Sequence, residues 1–365
     1  MVDHDDARWE HGFHQLRVKA VVDETADTRS YVLDVPDELR ELFRYRPGQF
    51  CTFRAHVDGD EQQRCYSMSS APETDADLTV TVKRVPGGRV SNWFHDHVAV
   101  GDVLEVTKPA GVFCARDHDA PVVAFVGGSG VTPVMSIAKS VLATSGRRVR
   151  ILYANTARPS VIFDEQLDEL QARHPDRLEL RHHLDSDGGF LQGPDVAAFA
   201  ATTLDADFYI CGPGPFMDLV ETTLLGLGVE PDRILIERFV TPAQASPVAA
   251  GSAAPPPAVT IGRSGAGQPE AEVPETVVIV LKGTTTSIAY QAGDTVLETA
   301  RRGGLQPPFS CEAGNCATCM ALLREGRVTM RANNALTPDE VEEGWILTCQ
   351  SLPQGAAVTV EYESL

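Results

Sequence analysis

Cys311, Cys316 and Cys319 fall within nine residues, at C-x4-C-x2-C spacing in the segment SCEAGNCATC. Cys349 follows in LTCQ, after a further 29 residues. Four thiolates disposed in this way suit a [2Fe–2S] cluster. A tight loop of small residues wraps the inorganic core, backbone N–H groups reach its sulfurs, and a distant strand closes the site with the fourth ligand. Ala313, Gly314 and Ala317 permit that close approach. Structural zinc also takes four cysteines, usually as two separate C-x2–4-C pairs. That alternative stays open here, although the three-plus-one arrangement fits it poorly.

Upstream, RCYSMSS (64–70) sets Arg64, Tyr66 and Ser67 on one extended segment. A flavin needs a flat partner for its ring, a hydrogen bond near N5 and a cation for its phosphates. Tyr66, Ser67 and Arg64 match those needs in that order. An ordinary barrel strand with an exposed Arg and a packed Tyr is the plainer reading. Thr81, Val82 and Lys83 of TVKR (81–84) are expected to continue along the cofactor. In GGRVSNW (87–93), Gly88 enters a helix whose first N–H groups, on Arg89, Val90 and Ser91, would form an anion site for a pyrophosphate. The plainer reading of Gly87-Gly88 is a hairpin turn.

A third set lies in GGSGVTP (127–133) and CGPGPFM (211–217). Gly127, Gly128 and Gly130 form a turn between a strand and a helix, with Thr132 expected as N-cap and Pro133 as first helical residue. Such a turn aims a helix N-terminus at a nucleotide. The second segment places Cys211, Gly212 and Pro213 after another strand. For nucleotide choice, the following strand ends in YANTAR, where Asn155 and Arg158 replace the usual acid. Arg158 is either a receptor for a 2′-phosphate or an ordinary surface arginine, so NADH and NADPH both stay open.

The elements that must position these residues are visible as changes of rhythm. Residues 15–112 alternate in period two with turn punctuation, as short antiparallel strands do. From about residue 121, strands alternate with helical patterns, which indicates a parallel α/β sheet. Residues 242–274 are rich in Pro, Ala, Gly and Ser and read as a semi-flexible tether. Beyond them a hairpin and a helix precede the cysteines. A chain of 365 residues suits two or three domains. A formal net charge of −20 disfavours nucleic acid. The start, MVDHDDARWEHGF, shows no secretory signal, and no apolar run is long enough to span a bilayer, so a cytoplasmic protein is expected. The eight cysteines then need not form disulfides.

Residues 275–365 resemble plant-type ferredoxins, which implies a β-grasp fold. PGQF (47–50), RCYS, TVKR and GGRVSN follow the order and spacing of the flavin domain of the ferredoxin–NADP reductase superfamily. That resemblance implies FAD, the commoner cofactor, with FMN in some relatives of the same three-domain build. From about residue 12 to 365 the chain is similar to the reductase components of multicomponent oxygenases, such as those of 3-ketosteroid 9α-hydroxylase and phenylacetyl-CoA epoxidase. The long tether and Thr156-Ala157-Arg158 depart from that group. The resemblance implies an antiparallel β-barrel flavin domain (12–116), a parallel α/β nicotinamide domain (117–241), the linker (242–274) and a ferredoxin domain (275–365). It implies Cys211 near the nicotinamide C4, Glu237 near the reacting centre with Ser67, and Phe239 near the flavin face. Without it, Cys211 is a buried small hydrophobe and Glu237-Arg238-Phe239 a strand end. The implied activity is electron transfer from NAD(P)H through FAD and the cluster to a terminal oxygenase, Rieske or di-iron. Two alternatives remain: a reductase for a cytochrome or separate ferredoxin, and a flavoprotein redox sensor with structural zinc.

Overall fold

The computed structural model describes residues 13–239, 259–262, 274–309, 314, 317–333 and 335–362. It divides into a unit spanning His14–Phe239 and a second formed chiefly by Val240–Leu365.

The first unit opens with six antiparallel strands: β1 (His14–Thr25), β2 (Thr28–Asp34), β3 (Phe50–Val57), β4 (Asp60–Ser67), β5 (Leu78–Lys83) and β6 (Val103–Val106). Their order is β4-β3-β6-β1-β2-β5. A bridge between Met68 and Val80 joins the two edge strands and closes the sheet into a barrel. Helix α1 (Arg89–His97) packs Val90 and Phe94, one turn apart, into this core. The Phe94 ring lies edge-on to Tyr31, Phe53 and Tyr66, at centroid distances of 5.2, 5.5 and 5.1 Å. One aromatic residue thereby ties the helix to three strands.

The same unit continues with a parallel sheet: β7 (Val122–Gly127), β8 (Val149–Asn155), β9 (Leu178–Leu184), β10 (Asp207–Cys211) and β11 (Ile234–Glu237), in the order β11-β10-β7-β8-β9. Helices α2 (Val131–Thr144) and α3 (Asp164–Arg173) belong to one apolar cluster, and α4 (Gly193–Ala200) and α5 (Gly214–Gly226) to another. Both faces are therefore covered, and every residue of β7 is buried. At the opposite end from the strand-terminal turns, Asp207 is fully buried and paired with Arg147 at 3.1 Å and Arg116 at 3.5 Å. Those pairs pin the segment that leads from the barrel to β7.

The second unit has β12 (Val259–Gly262), β13 (Thr276–Leu281), β14 (Thr284–Ala289), β15 (Met320–Met330), β16 (Trp345–Leu347) and β17 (Ser351–Glu361). Their order is β12-β15-β17-β13-β14, with β16 on β15, and β13 runs parallel to β17. Helix α6 (Val296–Arg302) buries Val296, Leu297 and Ala300, and Thr295 caps it by accepting from the Glu298 N–H at 3.1 Å. Helix α7 (Pro338–Glu342) is a shorter, similarly capped turn. This is the expected β-grasp arrangement of a mixed sheet and a packed helix.

One expectation needs correction. The stretch 242–274 is not wholly unstructured: Val259–Gly262 pairs antiparallel with β15 and Ile261 is buried. Val-Thr-Ile is a β-branched run whose preference for a pleated surface is hidden by the Pro/Ala/Gly average around it. Most of that stretch lies outside the described residues.

Phe94→Ala is expected to lower the stability of the first unit by about 3–5 kcal/mol. Earlier urea unfolding, followed by the fluorescence of Trp93, whose ring lies 5.5 Å from Phe94, would register it.

Candidate functional site

Strand β4 delivers the first set of residues. Its register places Tyr66 opposite Cys51 and Ser67 opposite Phe50. The Ser67 hydroxyl is buried and has no hydrogen-bond partner. Such an atom costs stability unless a bound group satisfies it. Beside it Tyr66 is half-buried, its ring against Phe53 and Phe94, and burial pushes its phenol well above the usual range. Arg64 donates to the Gln63 carbonyl at 2.6 Å. Among the described residues no carboxylate pairs with it, so its charge is available to an anion.

At the start of α1, Gly88 is the N-cap, and helical geometry leaves the N–H groups of Arg89, Val90 and Ser91 without partners inside the helix. The Arg89 guanidinium turns away to Asp60, at 3.0 Å, and to the Val57 carbonyl. What this turn offers an anion is backbone. The Ser91 hydroxyl accepts from the Val85 N–H at 3.1 Å. An unpaired buried hydroxyl, an adjacent aromatic ring, a guanidinium with no carboxylate partner among the described residues and a set of helix-start amides fit a flavin nucleotide. The side chains of the 81–83 segment have partners within the same unit. The Thr81 hydroxyl bonds Ser30 at 2.7 Å and Ser69 at 2.8 Å, Val82 is fully buried, and Lys83 lies 3.7 Å from Asp27. These side chains serve the barrel.

The nicotinamide candidates meet because β7 and β10 are parallel neighbours. The turns that follow them pack backbone against backbone. A Cβ on Gly130 would stand 2.1 Å from the Cys211 carbonyl oxygen, and one on Gly127 would stand 2.9 Å from Pro213 Cδ. These glycines, with Gly212, serve the mutual approach of the turns. Gly128 alone has open space at its Cβ position, and its φ of +54° is the left-handed region. Helix α2 begins earlier than expected. Gly130 is its N-cap, Thr132 and Pro133 are its second and third residues, and Thr132 donates back to the Ser129 carbonyl at 3.0 Å. The tight turn Gly128–Gly130 runs directly into the helix, and a proline is harmless anywhere in a first turn, where N–H groups lack helical partners.

Cys211 is fully buried and opposite Glu237 across β10 and β11. Burial, and then the Glu237 carboxylate, push its thiol well above the usual range, so it is protonated at neutral pH. Phe239 is 39% exposed, a flat apolar surface at the end of this unit. Arg158 is held by Asp164 at 2.8 Å and Asp168 at 3.5 Å. Sequence reasoning missed both acids. They lie on α3, beyond the strand end at which an acid is ordinarily sought.

In the second unit, Cys319 precedes β15 and Cys349 follows β16; pairing of Met320 with Leu347 brings the two together. Both are buried, and Thr348 links them by donating its hydroxyl to the Cys319 carbonyl at 2.8 Å. Gln350 donates its side-chain N–H to the Cys349 sulfur at 3.7 Å, the kind of bond that tunes a cluster ligand. Gly314 and Ala317 have φ of +76° and +52°. A Cβ at Gly314 would meet the Ala332 carbonyl at 2.9 Å, which accounts for the glycine there. Cys311 and Cys316 lie outside the described residues. Buried thiols, an N–H···S bond and the left-handed backbone of Gly314 and Ala317 fit an iron–sulfur cluster.

Known proteins show the same division. An oxidoreductase FAD-binding domain model matches residues 15–114, an oxidoreductase NAD-binding domain model 125–222, and a 2Fe-2S iron-sulfur cluster binding domain model 279–354. The last favours the cluster over structural zinc. The chain is 39% identical over 348 residues to the ferredoxin reductase component of 3-ketosteroid-9-alpha-monooxygenase of Rhodococcus rhodochrous, covering 95% of this chain and 96% of that one. It is 33% identical over 368 residues to a component of the 1,2-phenylacetyl-CoA epoxidase of Escherichia coli, covering 96% and 98%. Among solved structures, phthalate dioxygenase reductase shares the fold, with a TM-score of 0.56, 24% identity and coverage of 97% and 99%.

Gly130→Ala is expected to destabilise the first unit by about 1–3 kcal/mol, because backbone cannot yield to the new methyl. Gly128→Ala meets only conformational strain, of about 1–2 kcal/mol. Thermal unfolding of the two variants measures the difference. Cys211 should resist iodoacetamide at pH 8 in the folded protein and react readily in urea; rapid native labelling, read by mass spectrometry, would contradict a buried, protonated thiol.

Proposed function

This chain belongs to the family of oxygenase reductase components, and we propose that it supplies a terminal oxygenase, with a Rieske or di-iron centre, that acts on a steroid, aromatic or acyl-CoA substrate. The observation that carries this reading is the meeting of Cys319 and Cys349 at the β15–β16 pairing, in a chain whose other unit offers a flavin strand and a nucleotide turn. The bound groups supply hydride acceptance and one-electron transfer, at potentials of order −400 mV for plant-type clusters. The protein supplies binding, orientation and exclusion of water.

In this reading Ser67 satisfies its hydroxyl on the flavin ring, Tyr66 packs against that ring, and Arg64 with the amides of Arg89, Val90 and Ser91 holds the phosphates. The turns at Gly127–Gly130 and Gly212–Pro213 receive the nicotinamide nucleotide. The uncharged Cys211 thiol keeps a second negative charge away from Glu237, where a hydride must pass. Phe239 covers the flavin face. Cys311, Cys316, Cys319 and Cys349 hold the cluster. The same reading places the protein in the cytoplasm; among the described residues no helix is long and apolar enough to cross a membrane.

Purified protein is expected to be red-brown, with flavin, iron and sulfide. Cys316→Ser should abolish NAD(P)H-dependent cytochrome c reduction while largely sparing ferricyanide reduction, because the flavin stands upstream of the cluster. Loss of both activities in a folded variant would sink that electron order. Coupled turnover with candidate oxygenases tests the partner.

A further inference from the structure

At the carboxyl ends of β8 and β9 lies a group of polar side chains whose charge balance reverses the simplest reading of Arg158. Its Nε is 2.8 Å from Asp164 Oδ2, and its Nη2 is 3.5 Å from Asp168 Oδ2. One guanidinium against two carboxylates leaves a net negative charge where a 2′-phosphate would need a positive one. What the group still offers is hydrogen bonding. Asp164 Oδ1, Asn155 Nδ2 and both ring nitrogens of His182 are buried without hydrogen-bond partners. Asn155 is 6% exposed, so its unpaired amide lies inside the protein.

Tyr153 gathers these groups. Its ring centroid is 5.9 Å from that of His182, and Asn155 and Asp164 lie close enough to influence its hydroxyl. His182 Nε2 is 4.0 Å from Asp164 Oδ1, too far for a hydrogen bond but near enough for a bound hydroxyl to serve both. Burial, and then the Arg158 charge, lower the affinity of His182 for a second proton. The neutral ring therefore presents one donor and one acceptor. An amide donor, a carboxylate acceptor and a neutral imidazole complement a vicinal diol, in which each hydroxyl both donates and accepts. A phosphate brings only acceptors and about two further negative charges. A dinucleotide whose pyrophosphate lies at the β7 turn carries its adenosine ribose over the neighbouring strand, β8.

Resting on the reading of the β7 and β10 turns as a nicotinamide site, we infer that Asn155, Asp164, Asp168 and His182 select NADH over NADPH. Asp164 Oδ1 accepts from a ribose hydroxyl. Arg158 is a positioning residue that orients Asp164, and Asp168 completes its neutralisation.

The test uses the full-length holoprotein and titration calorimetry with NAD+, 5′-AMP and 2′,5′-ADP, the last two of which differ by the 2′-phosphate alone, alongside kcat/KM for NADH and NADPH. Wild type is expected to bind 5′-AMP at least about tenfold more tightly than 2′,5′-ADP, since like charges disfavour the added 2′-phosphate. Asp164→Asn is expected to narrow or reverse that ratio. Asp168→Asn, at a position whose side chain is 58% exposed and therefore safe for folding, should narrow it about threefold or more. Tighter or equal binding of 2′,5′-ADP by wild type, or an unchanged ratio in both folded variants, overturns the inference. Failure of NAD+ and both adenosine ligands to bind overturns the nicotinamide site itself, a different result from a wrong preference.

Discussion

The approach of two strand-end turns, Gly127–Gly130 after β7 and Cys211–Pro213 after β10, constrains the nucleotide end of the molecule. Parallel pairing holds the strands at fixed spacing, and the missing side chain at Gly130 lets one backbone lie on the other. Close-packed interiors do not absorb a displaced backbone. The N-terminus of α2, the protonated Cys211 and its neighbour Glu237 are therefore all located by one contact. The buried Asp207 with its arginines anchors the other end of the same sheet, so the turns are held from below as well.

The second unit solves a similar problem with different material. Two cysteines separated by a long stretch of chain must arrive at one place with their sulfurs in a dry environment. Antiparallel pairing of β15 with β16 brings the flanking residues together, and the Thr348 hydroxyl, held in turn by Tyr362 at 2.9 Å, locks them.

Charge distribution separates the roles of three arginines that look alike in the sequence. Arg64 has no carboxylate partner among the described residues and donates only to a neighbouring carbonyl, that of Gln63. Arg89 spends its charge on Asp60, and only its backbone faces the helix-start site. Arg158 is outnumbered by Asp164 and Asp168. A guanidinium is always charged, so its function is decided by what surrounds it, and those surroundings come from other elements.

The amino-acid sequence by itself determined the module order, the strand and helix rhythms, the cysteine spacing, and the segments RCYS, GGRVSN, GGSG and CGPG. These are local properties, carried by periodicity of two or 3.6 residues and by turn chemistry within a few positions. Tertiary structure alone decided that the Thr81 hydroxyl bonds Ser30 and Ser69 while Val82 enters the barrel core, that most of the expected nucleotide glycines serve turn-on-turn packing, and that Val259–Gly262 joins a sheet. It also decided that Arg158 is neutralised. Each of these depends on partners tens of residues away, and a side chain's charge, exposure or free hydrogen-bonding capacity is set by what folding places against it.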